Sequence, residues 1–82
     1  MIPIFVEWRD HATYHGWKDL SQKFSSIKVR TLGWLISEDK DQLVVAPAYT
    51  VVEDDTSASC GEPTVILKSA VIRRYDIDMG WI

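Results

Sequence analysis

The stretch Ile27-Lys28-Val29-Arg30-Thr31-Leu32-Gly33-Trp34-Leu35-Ile36-Ser37 decides the fold. Successive side chains of an extended chain point to opposite faces, so Ile27, Val29 and Thr31 share one side and Lys28, Arg30 and Leu32 the other. Gly33 interrupts the run, which predicts a bulge or a sharp bend of the kind that closes small barrels. The polar segment Ser37-Glu38-Asp39-Lys40-Asp41-Gln42 follows, and then Leu43-Val44-Val45-Ala46. Two apolar runs joined by a short polar turn read as an antiparallel hairpin.

Upstream, Ile2, Ile4, Val6 and Trp8 alternate with Pro3, Phe5 and Glu7, a period of two with Phe5 as its exception. This predicts a first strand, with Pro3 at its start or along an edge because proline donates no ladder hydrogen bond. Arg9 to Ser26 is polar and contains Gly16, so it reads as a long first loop, which the 3,4-spaced Trp17, Leu20 and Phe24 should pin down through one or two helical turns. Downstream, Pro47 bends the third strand, which continues through Tyr49, Val51 and Val52. Glu53 to Glu62 reads as a mobile acidic connector. Thr64-Val65-Ile66-Leu67 predicts a fourth strand, Lys68-Ser69-Ala70 a one-turn link, and Val71-Ile72-Arg73-Arg74-Tyr75 a fifth, with residues 76–82 as a tail.

The expectation is therefore an all-β protein of one domain spanning residues 1–82. Its architecture should be a small five-stranded antiparallel barrel of the Src-homology or Sm type, with a long first loop and a short helical turn. Closure would remove exposed sheet edges. At 82 residues the core is small, and four Trp, three Tyr and two Phe supply much of the apolar area it can bury. For Trp8, Trp17 and Trp34 the plain expectation is core filling.

Twelve acidic and nine basic residues leave a net charge of −3, which disfavours duplex DNA as a partner. The charge is segregated, however. Lys18, Lys23, Lys28 and Arg30 lie close in sequence, while acids gather at Glu38 to Asp41 and Glu53 to Asp55. With Cys60 alone, neither a disulfide within the chain nor a multi-cysteine zinc site can form. The opening residues lack the basic and apolar regions of a signal peptide and no run is long enough to span a bilayer, so the expected location is the cytoplasm, away from membranes.

Catalytic groupings are incomplete. His11 and His15 are four apart but lack a helix signal and the intervening glutamate of the zinc protease pattern. His11-Ala12-Thr13 carries a single His-x-Thr element where two-histidine phosphoesterases need two, one imidazole as base and one as acid. Cys60 has no neighbouring cation to lower its thiol pKa, and no nucleophile elbow or phosphate loop occurs. We expect no enzyme activity, no metal and no cofactor.

Residues suited to binding do cluster. Trp8, Arg9, Asp10, His11, Tyr14 and Trp17 lie at the mouth of the first loop, facing Lys28 and Arg30 if the loop folds back, and such side chains stack on bases and pair with phosphates. Arg73 and Arg74 are adjacent, so on a strand they face opposite sides, and Lys68 begins the preceding turn. The expected ligand-binding set is Trp8, Arg9, Asp10, His11, Tyr14, Trp17, Arg30, Lys68 and Arg73.

The segments Val6-Glu7-Trp8-Arg9-Asp10, Gly16-Trp17-Lys18-Asp19-Leu20, Val29 through Asp39, Leu43-Val44-Val45-Ala46-Pro47, Cys60-Gly61 and Val65-Ile66-Leu67-Lys68-Ser69 together resemble a family of short bacteriophage and prophage proteins. The resemblance implies an accessory protein directed against host defence. In that setting the leading expectation is an oligomeric sponge that sequesters a small anionic nucleotide-type signal without cleaving it. The alternatives are a module that docks on and inhibits a host protein, or a Sm-like module that binds single-stranded RNA.

Overall fold

The computed structural model describes residues 1–11, 16–50 and 58–78. Its main element is a five-stranded antiparallel sheet built from β1 (Pro3–Asp10), β2 (Ile27–Glu38), β3 (Gln42–Ala46), β6 (Thr64–Leu67) and β7 (Val71–Asp76). The spatial order is β6-β3-β2-β1-β7. Two short strands, β4 (Ala48–Tyr49) and β5 (Cys60–Gly61), pair separately. A single 3-10 turn, Lys68–Ala70, links the outer strands β6 and β7.

The β2–β3 turn is tight because one carboxylate organises it. Asp39 Oδ1 accepts hydrogen bonds from the backbone N–H groups of Asp41 and Gln42, and the Asp39 N–H donates to the Gln42 carbonyl. An aspartate that bonds the backbone two or three residues ahead offers the chain a turn in place of a longer strand. The Lys68 N–H then donates to the Asp41 carbonyl at 2.8 Å, which ties the 3-10 turn to this hairpin.

The core lies on the inner face. Ile4, Val6 and Trp8 of β1 meet Leu43 and Val45 of β3 and Ile66 of β6, with Val29, Leu35 and Val71 packed against them. Their removal from water is the main stabilising contribution to so small a fold. Gly33 sits opposite Ile4, and a Cβ there would lie 2.6 Å from the Ala46 carbonyl oxygen and 2.9 Å from Val45 Cγ1. It is glycine because β3 approaches too closely for any side chain. The bulge expected at Gly33 falls instead between Leu35 and Ser37, where the β2–β3 register shifts.

Several expectations need correction. Among the described residues no ladder joins β6 to β7, so the expected closed barrel is not found. Trp17, Leu20 and Phe24 do not pin the first loop by helical turns: Trp17 and Leu20 are fully exposed and Phe24 about half exposed. What orders the loop locally is a turn in which Asp19 accepts from the Ser21 N–H and hydroxyl. The third strand stops at Ala46, and after Pro47 the chain enters the separate β4–β5 pair. The end of the connector is thus structured at Cys60–Gly61, while residues 51–57 lie outside those described. The expected tail begins inside β7, which runs to Asp76, and the Ile77 N–H donates to the Pro3 carbonyl.

Candidate functional site

With Ile4, Val6 and Trp8 turned into the core, the odd residues of β1 must face outward, and the ladders on either side fix their neighbours. Arg9 stands opposite Lys28 of β2. Glu7 stands between Arg30 of β2 and Arg73 of β7. Phe5 stands between Leu32 of β2 and Tyr75 of β7. The outer face of β2-β1-β7 therefore carries three parallel rows: a pair of cations, two arginines flanking a carboxylate, and an apolar row with two aromatic rings.

In the middle row Arg30 Nε donates to Glu7 Oε2 at 2.8 Å. Arg73 Nε lies 3.3 Å from Oε1, close enough to attract it but without hydrogen-bond alignment, so Oε1 is buried with no donor. Glu7 is only 2% exposed although it lies on the outer face, because the two long arginine side chains cover it. The Arg30 hydrogen bond, followed by the charges of Arg73, Lys28 and Arg30, outweighs desolvation and holds the Glu7 carboxyl below its usual range. Both arginine side chains remain more than half exposed. Each approaches Glu7 through Nε. One buried carboxylate thus hydrogen-bonds one guanidinium and attracts a second, and guanidinium is the donor type best matched to phosphate.

The first row has no such counterion. Arg9 and Lys28 are both exposed, and among the described residues neither has a carboxylate within ion-pair distance. Like charges directly opposite on neighbouring strands are unfavourable to folding. In the third row the Phe5 and Tyr75 rings are 6.2 Å apart and tilted by 35°. Tyr75 and Leu32 are largely exposed, and Phe5 is half-buried.

The expected binding residues divide between this face and other places. Arg9, Arg30 and Arg73 are brought together here. Trp8 points inward, and its Nε1 donates to Thr31 Oγ1 at 3.0 Å, so it is a core residue with a satisfied indole. Asp10 and His11 follow at the end of β1, where the His11 N–H donates to Asp10 Oδ1. Trp17 stands in the first loop, away from the core. Lys68 contacts Glu38 at 2.8 Å at the 3-10 turn, while Tyr14 lies outside the described residues. Arg74, on the face opposite Arg73, bridges Glu38 and Asp76. Sequence reasoning named Lys28 only as a residue the first loop would face, and did not place Glu7, Phe5, Leu32 or Tyr75 in the site. The signal for Phe5 was its status as the apolar exception in an alternating strand.

A separate small cavity of about 160 Å³ opens where the end of β1 passes β6. Trp8, Arg9, Asp10 and His11 line it with Val65, Leu67 and Ala70. Pockets that enclose drug-sized ligands run from about 300 to 1,000 Å³, so this one has room for a single side chain or a fragment.

Among the described residues no group of three or more His, Cys, Asp or Glu side chains is placed to hold a metal ion. His15 of the His11–His15 pair lies outside them. Cys60 is a half-buried free thiol. Among the same residues, no helix is long and apolar enough to cross a membrane. No family model, curated protein or solved structure matches the chain.

Proposed function

We propose that this chain is a non-catalytic binding module that holds a nucleotide-type ligand on the outer face of β2-β1-β7. The observation that supports this reading is the adjacency of the Arg30–Glu7–Arg73 row to the Phe5–Tyr75 row. A base needs an apolar or aromatic platform, and its phosphate needs oriented charge-assisted donors one step away. The face supplies both on neighbouring hydrogen-bonded strands. It presents no paired acid and base and no activated nucleophile, so the ligand would be held and released unchanged.

In biological terms the role is the one implied by the resemblance to phage and prophage proteins: sequestration of a nucleotide-derived defence signal in the host cytoplasm. A second copy of the chain would cover the open face and slow release. The sheet is read as a barrel of the Src-homology or Sm type left open between β6 and β7, which the 3-10 turn connects. A second reading, docking on a host protein, is favoured by the cavity beside exposed Val65 and Leu67, which has the size for one apolar anchor.

Incubating the protein with cyclic dinucleotides and with ATP, removing free ligand, and then denaturing it by heat tests the proposal. Recovery of an intact nucleotide, and its loss in Arg73→Glu, supports retention on this face. If no nucleotide is retained, or if only cleaved products are recovered, the reading fails. Stoichiometric capture of one host protein through Val65 and Leu67, without nucleotide retention, would favour docking instead.

A further inference from the structure

Resting on that reading, we infer that the ligand presents two phosphate charges in line from its base, the inner one on Arg30 and Arg73 and the outer one on Arg9 and Lys28. The three rows on the outer face lie along one strand in a fixed order: Phe5, then Glu7, then Arg9. Same-face residues of a strand are two apart, which spaces the rows by roughly 6.6–6.8 Å. A base resting on Phe5 and Tyr75 would direct its first phosphate to the arginine row. Anything attached beyond that phosphate arrives at the Arg9–Lys28 pair.

That pair carries the inference. A nucleoside monophosphate would be satisfied by the aromatic row and the arginine row, leaving the Arg9–Lys28 row as two like charges face to face. Arg9 and Lys28 stand directly opposite each other, both exposed and both without an ion-pair partner among the described residues. On this face the carboxylate of the neighbouring row, Glu7, is already buried beneath Arg30 and Arg73. A second anionic group from outside would convert this repulsion into two attractions. A terminal polyphosphate supplies that group, and so does the next phosphodiester of a single strand. The shared chemistry is a base followed by two phosphate charges.

The test is calorimetric titration of the whole chain in low-salt buffer with AMP, ATP and a short single-stranded oligonucleotide, repeated on Lys28→Gln and Arg9→Gln. A charge-assisted contact contributes enough that ATP or the oligonucleotide should bind at least about tenfold more tightly than AMP. The preference over AMP should collapse in either variant, with circular dichroism confirming that the sheet is intact. Tighter binding of ATP than of the oligonucleotide identifies a polyphosphate, and the reverse order identifies a strand. For a strand, the double variant should also flatten the dependence of log affinity on log salt by about one to two. Equal binding of all three ligands overturns this inference while leaving the proposed function standing. If none binds, both are overturned.

Discussion

Replacing Lys28 with glutamate reverses one charge of the Arg9–Lys28 pair and leaves the core untouched. The new carboxylate would stand directly across from Arg9 and on the same face as Arg30, two residues along β2. It would also replace the attraction of Lys28 for Glu7 by repulsion, but as a diagonal neighbour at about 7–8 Å, where the interaction is weaker than that across the directly opposed pair. An opposite-charge cross-strand pair contributes roughly 0.2–1 kcal/mol, and exposure limits such pairs to the lower part of that range. Removing the repulsion adds a similar small amount, so the variant should be more stable by about 0.5–1 kcal/mol. In a domain of this size that corresponds to a rise in Tm of about 2–8 °C. Thermal melting at low ionic strength reads this directly, and concentrated salt should erase the gain because it screens exposed charges. The same variant should bind ATP at least about tenfold less tightly. A protein that gains stability as it loses its ligand is one whose native charge pattern serves binding at the fold's cost. Unchanged or lowered stability, or undiminished ATP binding, would refute the reasoning.

Three further outcomes test the framework that holds this face. Gly33→Ala should destabilise by about 1–3 kcal/mol, since its Cβ would press on the Ala46 carbonyl and force β3 away; chemical denaturation measures it, and an unaffected midpoint would contradict the close packing. Ile66→Ala empties a fully buried site beneath Leu43 and should cost about 2–5 kcal/mol, read as a lower urea midpoint at an unchanged slope. Glu7 and Glu38 both have carboxyl pKa values held below the ordinary 4.5, Glu7 chiefly by Arg30 and Glu38 chiefly by Lys68. The unfolded chain therefore binds their protons first, so their stabilisation is fully present above about pH 4.5 and is lost as pH falls through the folded values. Melting curves should hold steady from neutral pH down to that point and fall below it, with a shallower fall in Glu38→Gln.

Much of the sheet was legible because its signal is local. Alternation in Ile2–Trp8 and Ile27–Thr31, the polar turn after Ser37 and the one-turn link at Lys68 marked the main strands and the β2–β3 hairpin, whereas the β1–β7 pairing was not read from them. Adjacent Arg73 and Arg74 do take opposite faces, as a period of two requires. The failures come from distant contacts. The 3,4 spacing of Trp17, Leu20 and Phe24 resembles a helix, but Trp17 and Leu20 are fully exposed and bury no apolar face that would stabilise one. Trp8 was expected both as core filling and as a binding residue at the mouth of the first loop, and its burial together with the register against Val29 and Val71 settles it as core.

The candidate site was half legible for the same reason. Arg9, Arg30 and Arg73 stand out as cations in strands, yet nothing in the chain's order reveals that one carboxylate sits between two of them. That depends on β1 lying between β2 and β7, two strands separated by more than thirty residues of sequence. Phe5 was visible only as an irregularity, and its meaning came from Tyr75 and Leu32 alongside.

The most direct examination of the central claim is an NMR titration of the labelled protein with ATP, following backbone amides and arginine side chains together. The account predicts saturable shifts at Phe5, Arg9, Lys28, Arg30, Arg73 and Tyr75, with the inner-face residues Ile4, Leu43 and Ile66 nearly unmoved. Shifts confined to the cavity around Val65, Leu67 and Ala70, or none at all, would contradict it.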